Sequence, residues 1–105
     1  MVHTEVRAQV VALMNQQRAN HGLPPLASSS VLFEQAQQWS NHMASVGRMY
    51  HSGHAPENVA RGYPTALAVV EAWMASPGHR ANILDPSSTA VGVGFLSGYW
   101  TAQFQ

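Results

Sequence analysis

The chain has 105 residues, five arginines and no lysine against five acids, and no cysteine. That length fits one domain over residues 1–105, and an apolar content of 46% can build a core that buries roughly 60–65% of the unfolded surface without staples. The missing cysteines exclude a disulfide framework and a thiolate metal site, the scattered arginines exclude a phosphate-neutralising row and so a nucleic-acid partner, and apolar runs such as VVALM and ALAVV are far too short to cross a bilayer.

In chain order the pattern predicts helices first and strands last. Thr4 stands as an N-cap before Val6, Val10, Leu13 and Met14, which share one face of a helix over 5–20. Gly22 stops it, and LPPL at 23–26 cannot continue it. SSS at 28–30 supplies the next cap, and Leu32, Ala36, Trp39, Met43 and Val46 make the apolar stripe of a helix over 30–46 that ends at Gly47. A long loop, RMYHSGHAPENVARGYP, follows, with one short helical turn predicted at PENVA behind Pro56. Thr65 caps a third helix over 65–75 with Leu67, Val70 and Trp73 or Met74 inward. Ser76-Pro77 breaks it and opens a short helix, PGHRANIL, closed by Asp85-Pro86. AVGVGF and YWTAQF each alternate, and LSG between them makes a β-hairpin. Helices flanking a small antiparallel sheet give an α+β sandwich, with Trp39 and Trp73 in its core.

The chemistry gathers at the breaks. His51, His54 and Glu57 lie within seven residues of a loop too long to be a plain connection, and His79 sits at the Ser-Pro break, eight residues after Glu71. Neutral imidazoles with carboxylates beside them can bind a divalent metal, or a Glu can orient a His as general base. Structural readings stand beside these: His79 can cover a helix start, and Glu57 can favour the positive end of a short helix. Met49 and Tyr50 are candidates for a pocket wall. His3, His21 and His42 receive no role.

In order, YHS (50–52), ENVA (57–60), EAWMASPGHRANIL (71–84), GVGF (92–95) and YWTAQF (99–104), with LMNQQRANHGLPPL before them, resemble the CAP superfamily, also called SCP-like or pathogenesis-related-1-like, in its cysteine-free bacterial branch. The resemblance covers nearly the whole chain. It implies an α-β-α sandwich with a central cleft, and a tetrad of two His and two Glu able to bind a divalent metal such as zinc. Matched residue by residue, it assigns His51, Glu57 and His79. The fourth place, three residues after the helix Trp, is Ser76 here, and Glu71 is the acid left on that helix. The resemblance further implies a monomer, secreted or attached to the cell envelope. Met1 stands directly before a polar, helix-like start, as in a chain trimmed of its leader. Two functions follow: a binding module for a small apolar or envelope-derived ligand, or a metal-dependent hydrolase, peptidase or esterase, using a metal-bound water.

Overall fold

The computed structural model describes residues 2–105, with side chains from Glu5 onward. The described elements are α1 (Val2–Asn20), β1 (Ala27–Ser28), α2 (Ser30–Val46), β2 (Glu57–Arg61), α3 (Ala66–Met74), α4 (Pro77–Ile83), β3 (Ala90–Leu96) and β4 (Tyr99–Phe104). The predicted cap at Thr4 lies outside the described side chains. Two other predicted caps form: the Ser29 hydroxyl accepts from the Leu32 N–H and the Thr65 hydroxyl from the Ala68 N–H. Gly47 closes α2 in the left-handed conformation at φ 67°. No described helix is long and apolar enough to cross a membrane.

The four strands form one sheet in the order β1-β3-β4-β2. The expected hairpin is present, β3 against β4, and it turns through Ser97 and Gly98, both at positive φ, as a two-residue hairpin requires. The edges differ from expectation. β1 joins in parallel, through two residue pairs only. ENVA is not a helical turn but β2, antiparallel to β4. Its first four residues, Glu57 to Ala60, are buried on both faces, so they carry no apolar alternation, and Pro56 precedes a strand rather than a helix.

Strand alternation sorts the layers. Val91, Val93, Trp100, Ala102 and Phe104 join Val10, Met14, Val70, Trp73 and Ile83 in the main core, beneath α1, α3 and α4. The opposite face belongs to α2, whose Ser40 hydroxyl is 2.8 Å from that of Thr101. There the sheet presents Gly92 and Gly94. A Cβ at Gly92 would overlap the backbone of Leu32 and Phe33, and one at Gly94 the backbone of Ala36. The GVG of the sequence is therefore the seat of α2, main chain against main chain.

Arg18 joins the end of α1 to the chain after α4. Fully buried, its guanidinium donates to the carbonyls of Pro24, Ile83, Asp85 and Ser88. Two apolar assignments change. Leu67 (53% exposed) and Val46 (51% exposed) face outward, because α3 buries Ala66, Val69, Val70 and Trp73 instead and the buried stripe of α2 runs Leu32, Ala36, Ser40 and Met43. Trp73 is buried as expected, while Trp39 is half-buried.

Candidate functional site

The site forms around β2, the sheet edge next to both helical layers. Alternation along β2 places Glu57, Val59 and Arg61 opposite Gln103, Thr101 and Tyr99, on the α2 face, and Asn58 and Ala60 on the α3–α4 face. The outer edge is closed by side chains. Trp73 Nε1 donates to the Val59 carbonyl (3.2 Å) and Asn82 Nδ2 to that of Glu57 (3.3 Å), which removes acceptors that a second strand could use.

Glu57 is the buried anchor on the α2 side. Its Oε1 accepts from the Ser52 N–H (2.9 Å) and lies 2.8 Å from His51 Nδ1. Its Oε2 accepts from the Ser52 hydroxyl and from Gln103 Nε2. Burial by itself raises a carboxyl pKa, but these hydrogen bonds from Ser52, Gln103 and His51 outweigh it and leave Glu57 below the ordinary carboxyl value. A carboxylate facing Nδ1 puts the proton there and leaves Nε2 of His51 as the free nitrogen. The ring itself is well exposed, with 59% of its side-chain surface open. Its approach is fixed from α2, where Trp39 Nε1 donates to the carbonyl of Tyr50 and the Tyr50 hydroxyl is 2.6 Å from His42 Nε2. That reach explains why Trp39 is only half-buried.

His79 comes from the other layer. Ser76 occupies the N-cap position with Pro77 first in the helix, but its hydroxyl makes no capping bond. α4 is held instead through its backbone: Asn58 Nδ2 donates to the His79 carbonyl (3.1 Å), and Asn82 Nδ2 donates to Asn58 Oδ1 (2.9 Å). The Ser-Pro break thus starts a helix whose second residue past the proline lies against β2. Burial, and then repulsion from the His51 ring when that is protonated, push the His79 pKa below the ordinary imidazole value, so its neutral form is favoured.

Two recesses flank this edge. One, of about 260 Å³, runs between α3, β2 and the loops; it is lined by Met49, Val59, Ala60, Arg61, Tyr63, Ala72 and Trp73, with Ser76 and His79. The other, of about 390 Å³, is lined by His51, His54, Glu57 and Asn82 together with Gly53, Ala55 and Pro56. The structure therefore brings His51, Glu57 and His79 to one edge from opposite layers. Glu71 is exposed on α3 and lines neither recess. Met49 walls the apolar recess as expected; Tyr50 packs against Trp39 instead.

The donor set bears on a metal. Among the described residues no group of three or more His, Cys, Asp or Glu is placed to share an ion. Both Glu57 oxygens are engaged by protein donors, so it serves as an orienting carboxylate to His51. A closed four-ligand zinc centre is therefore not formed by the described residues. Residue patterns had not singled out Ser52, Asn82 or Gln103. Of these, Gln103 carried one signal, a long polar side chain in a mostly apolar central strand.

Comparison with known proteins agrees with this architecture. The family described as the cysteine-rich secretory protein family, CAP, matches residues 11–104. The uncharacterized protein YkwD of Bacillus subtilis (strain 168) is 35% identical across 91% of this chain and 45% of its own length. The secreted protein RBT4 of Candida albicans is 33% identical across 71% of this chain and 21% of its own. A solved extracellular protein containing an SCP domain, from Bacillus anthracis, superposes with a TM-score of 0.89 at 26% identity, over 98% of this chain and 41% of that one. The chain spans less than half the length of each of these relatives.

Proposed function

The chain belongs to the CAP family, and from that premise we propose that it is a binding module, monomeric and acting outside the cell or at the envelope, whose cleft takes a small apolar molecule. The carrying observation is the recess whose lining joins Trp73, Val59, Ala60 and Met49 with the polar His79. Apolar walls with a few convergent polar groups at one end are the usual make-up of a small-molecule site. Relatives described as secreted or extracellular support the location. The test is titration with decanol, followed by tryptophan fluorescence. Saturable binding is expected, weakened at least about tenfold by Ala72→Trp, which fills the recess. Unsaturable partitioning, or binding indifferent to Ala72→Trp, overturns the reading.

A second reading is supported by the Glu57–His51 bond. A carboxylate on Nδ1 is how proteins orient a metal-ligating imidazole. In this reading His51 Nε2 and a ring nitrogen of His79 hold a divalent ion such as zinc. Such an ion would supply a Lewis acid on a face open to substrate, the requirement of a metal-dependent hydrolase. Glu57 keeps the His51 tautomer, and the depressed His79 pKa keeps its lone pair available. Zinc titration by calorimetry is expected to give one site, lost in both His51→Ala and His79→Ala. Unchanged binding in both variants, or none in the parent, removes this reading. Chelator-sensitive cleavage of a peptide or ester would put the hydrolase ahead of the binding module.

A further inference from the structure

We infer that Met49 is an oxidation site that controls the apolar recess: a hydroperoxide converts its thioether to the sulfoxide, and the recess then loses affinity for apolar ligands. This rests on the binding-module reading and goes beyond it by assigning a modification and a means of control. The first observation is access. The chain has no cysteine, so its thioethers are the sulfur atoms that meet an oxidant. Met14 and Met43 are fully buried, and Met74 is partly buried against the core. Met49, by contrast, is 46% exposed.

The second observation is placement. Met49 lines the recess with Val59, Ala60 and Trp73, and it is the wall residue contributed by the loop after α2. The chain is pinned on both sides of it. The Arg48 N–H donates to the Met43 carbonyl (3.2 Å), and the Tyr50 carbonyl accepts from Trp39 Nε1 (2.8 Å). A modified Met49 therefore stays at the recess instead of leaving with its loop. The step itself is simple. A lone pair on Sδ attacks one oxygen of hydrogen peroxide, and the O–O bond breaks as the S–O bond forms. The second oxygen leaves with its own proton, takes the proton of the first and departs as water. The thioether gives up two electrons and the peroxide gains them. A flexible apolar wall residue becomes a polar one. An apolar ligand packed on it then strips water from the S–O group and offers no hydrogen bond in return, which is unfavourable. Methionine sulfoxide reductases, one for each sulfoxide epimer, reverse the change.

The experiment treats the parent and Met49→Leu with dilute hydrogen peroxide, follows each methionine by peptide mass mapping, and titrates decanol by tryptophan fluorescence before and after. Sulfoxide is expected at Met49 ahead of Met14, Met43 and Met74. The parent oxidised at Met49 should bind decanol about tenfold more weakly, and the two reductases acting with dithiothreitol should restore it. Met49→Leu, a volume-conserving exchange, should bind decanol as the parent does and keep that affinity through the same treatment. If Met49→Leu does not fold, the reductase reversal in the parent still decides the matter. Met49 oxidised no sooner than the buried methionines, or an oxidised parent that binds decanol as before, overturns the inference and leaves the binding module standing. A loss of binding that Met49→Leu shares, or that the reductases do not reverse, overturns it as well. An untreated parent without saturable decanol binding overturns the binding-module reading, and the control by Met49 falls with it.

Discussion

At the scale of single residues, the site is an arrangement of protons. Glu57 is ionised in the fold more readily than in the unfolded chain, because the bonds from Ser52, Gln103 and His51 outweigh its burial. A depressed carboxyl pKa contributes stability that is present above the unfolded value, near 4.3, and is lost as pH falls through the folded one. Urea unfolding of the parent should therefore weaken below about pH 5 more steeply than that of Glu57→Gln. At pH 7 that variant should be less stable by about 1–3 kcal/mol, having set an amide against buried donors. His79 shifts for different reasons, burial first and the His51 charge second. Its unfolded form takes up a proton near pH 6.5 and the folded form only at lower pH, so its contribution falls away as pH drops through that window. NMR titration should find His79 neutral at a pH where a free imidazole is half charged, and His51→Ala should move it back toward the ordinary value. Tyr99 offers a converse case. Its hydroxyl is buried with no partner, so Tyr99→Phe should be as stable as the parent or better by about 1 kcal/mol in chemical denaturation.

Elements were legible from sequence where the signal is local. Ser29 and Thr65 mark the starts of α2 and α3 because a cap is read within three residues, and the turn between β3 and β4 is read from its small residues. β2 was hidden because Glu57, Asn58, Val59 and Ala60 are all buried, two of them through hydrogen bonds that apolar periodicity does not register. β1 has two residues, too few to carry a period. The site divides in the same way. His51, Glu57 and His79 stand in recognisable motifs, whereas Gln103 meets Glu57 across 46 residues of chain, and nothing local announces it. Glu71 was assigned by elimination along α3, and the helix turns it to solvent. Packing between elements gives a sharper test. Gly92→Ala and Gly94→Ala should each destabilise at or above the upper end of the about 1–3 kcal/mol usual for overpacking, since α2 backbone occupies the space. Trp73→Ala removes a buried indole and its bond to Val59; it should cost about 3–5 kcal/mol in denaturant unfolding.

At the scale of the molecule, a family named for its cysteines is represented here by a chain with none. Arg18 does part of what a cross-link does elsewhere, tying α1 to the carbonyls that follow α4 through donors that water would otherwise replace. Its pKa is pulled down by burial and held up by the Asp85 charge, so the charge is kept at a stability cost that the four carbonyl bonds offset. Arg18→Leu should lower the melting temperature substantially, each buried carbonyl left alone costing about 1 kcal/mol or more. The cleft depends on this tie indirectly, because α4 carries His79. The other layer is secured differently. With Gly92 and Gly94 against the main chain of α2, the spacing on that side is set by the thickness of the peptide backbone, a quantity no side-chain exchange can tune. The α1–α3–α4 side meets the sheet through Trp, Phe, Val and Met, whose volumes can be traded against one another. Redesign of ligand choice therefore has one workable direction: the α3–α4 wall can be carved or filled, while the α2 wall serves as a fixed datum from which the position of His51 is measured.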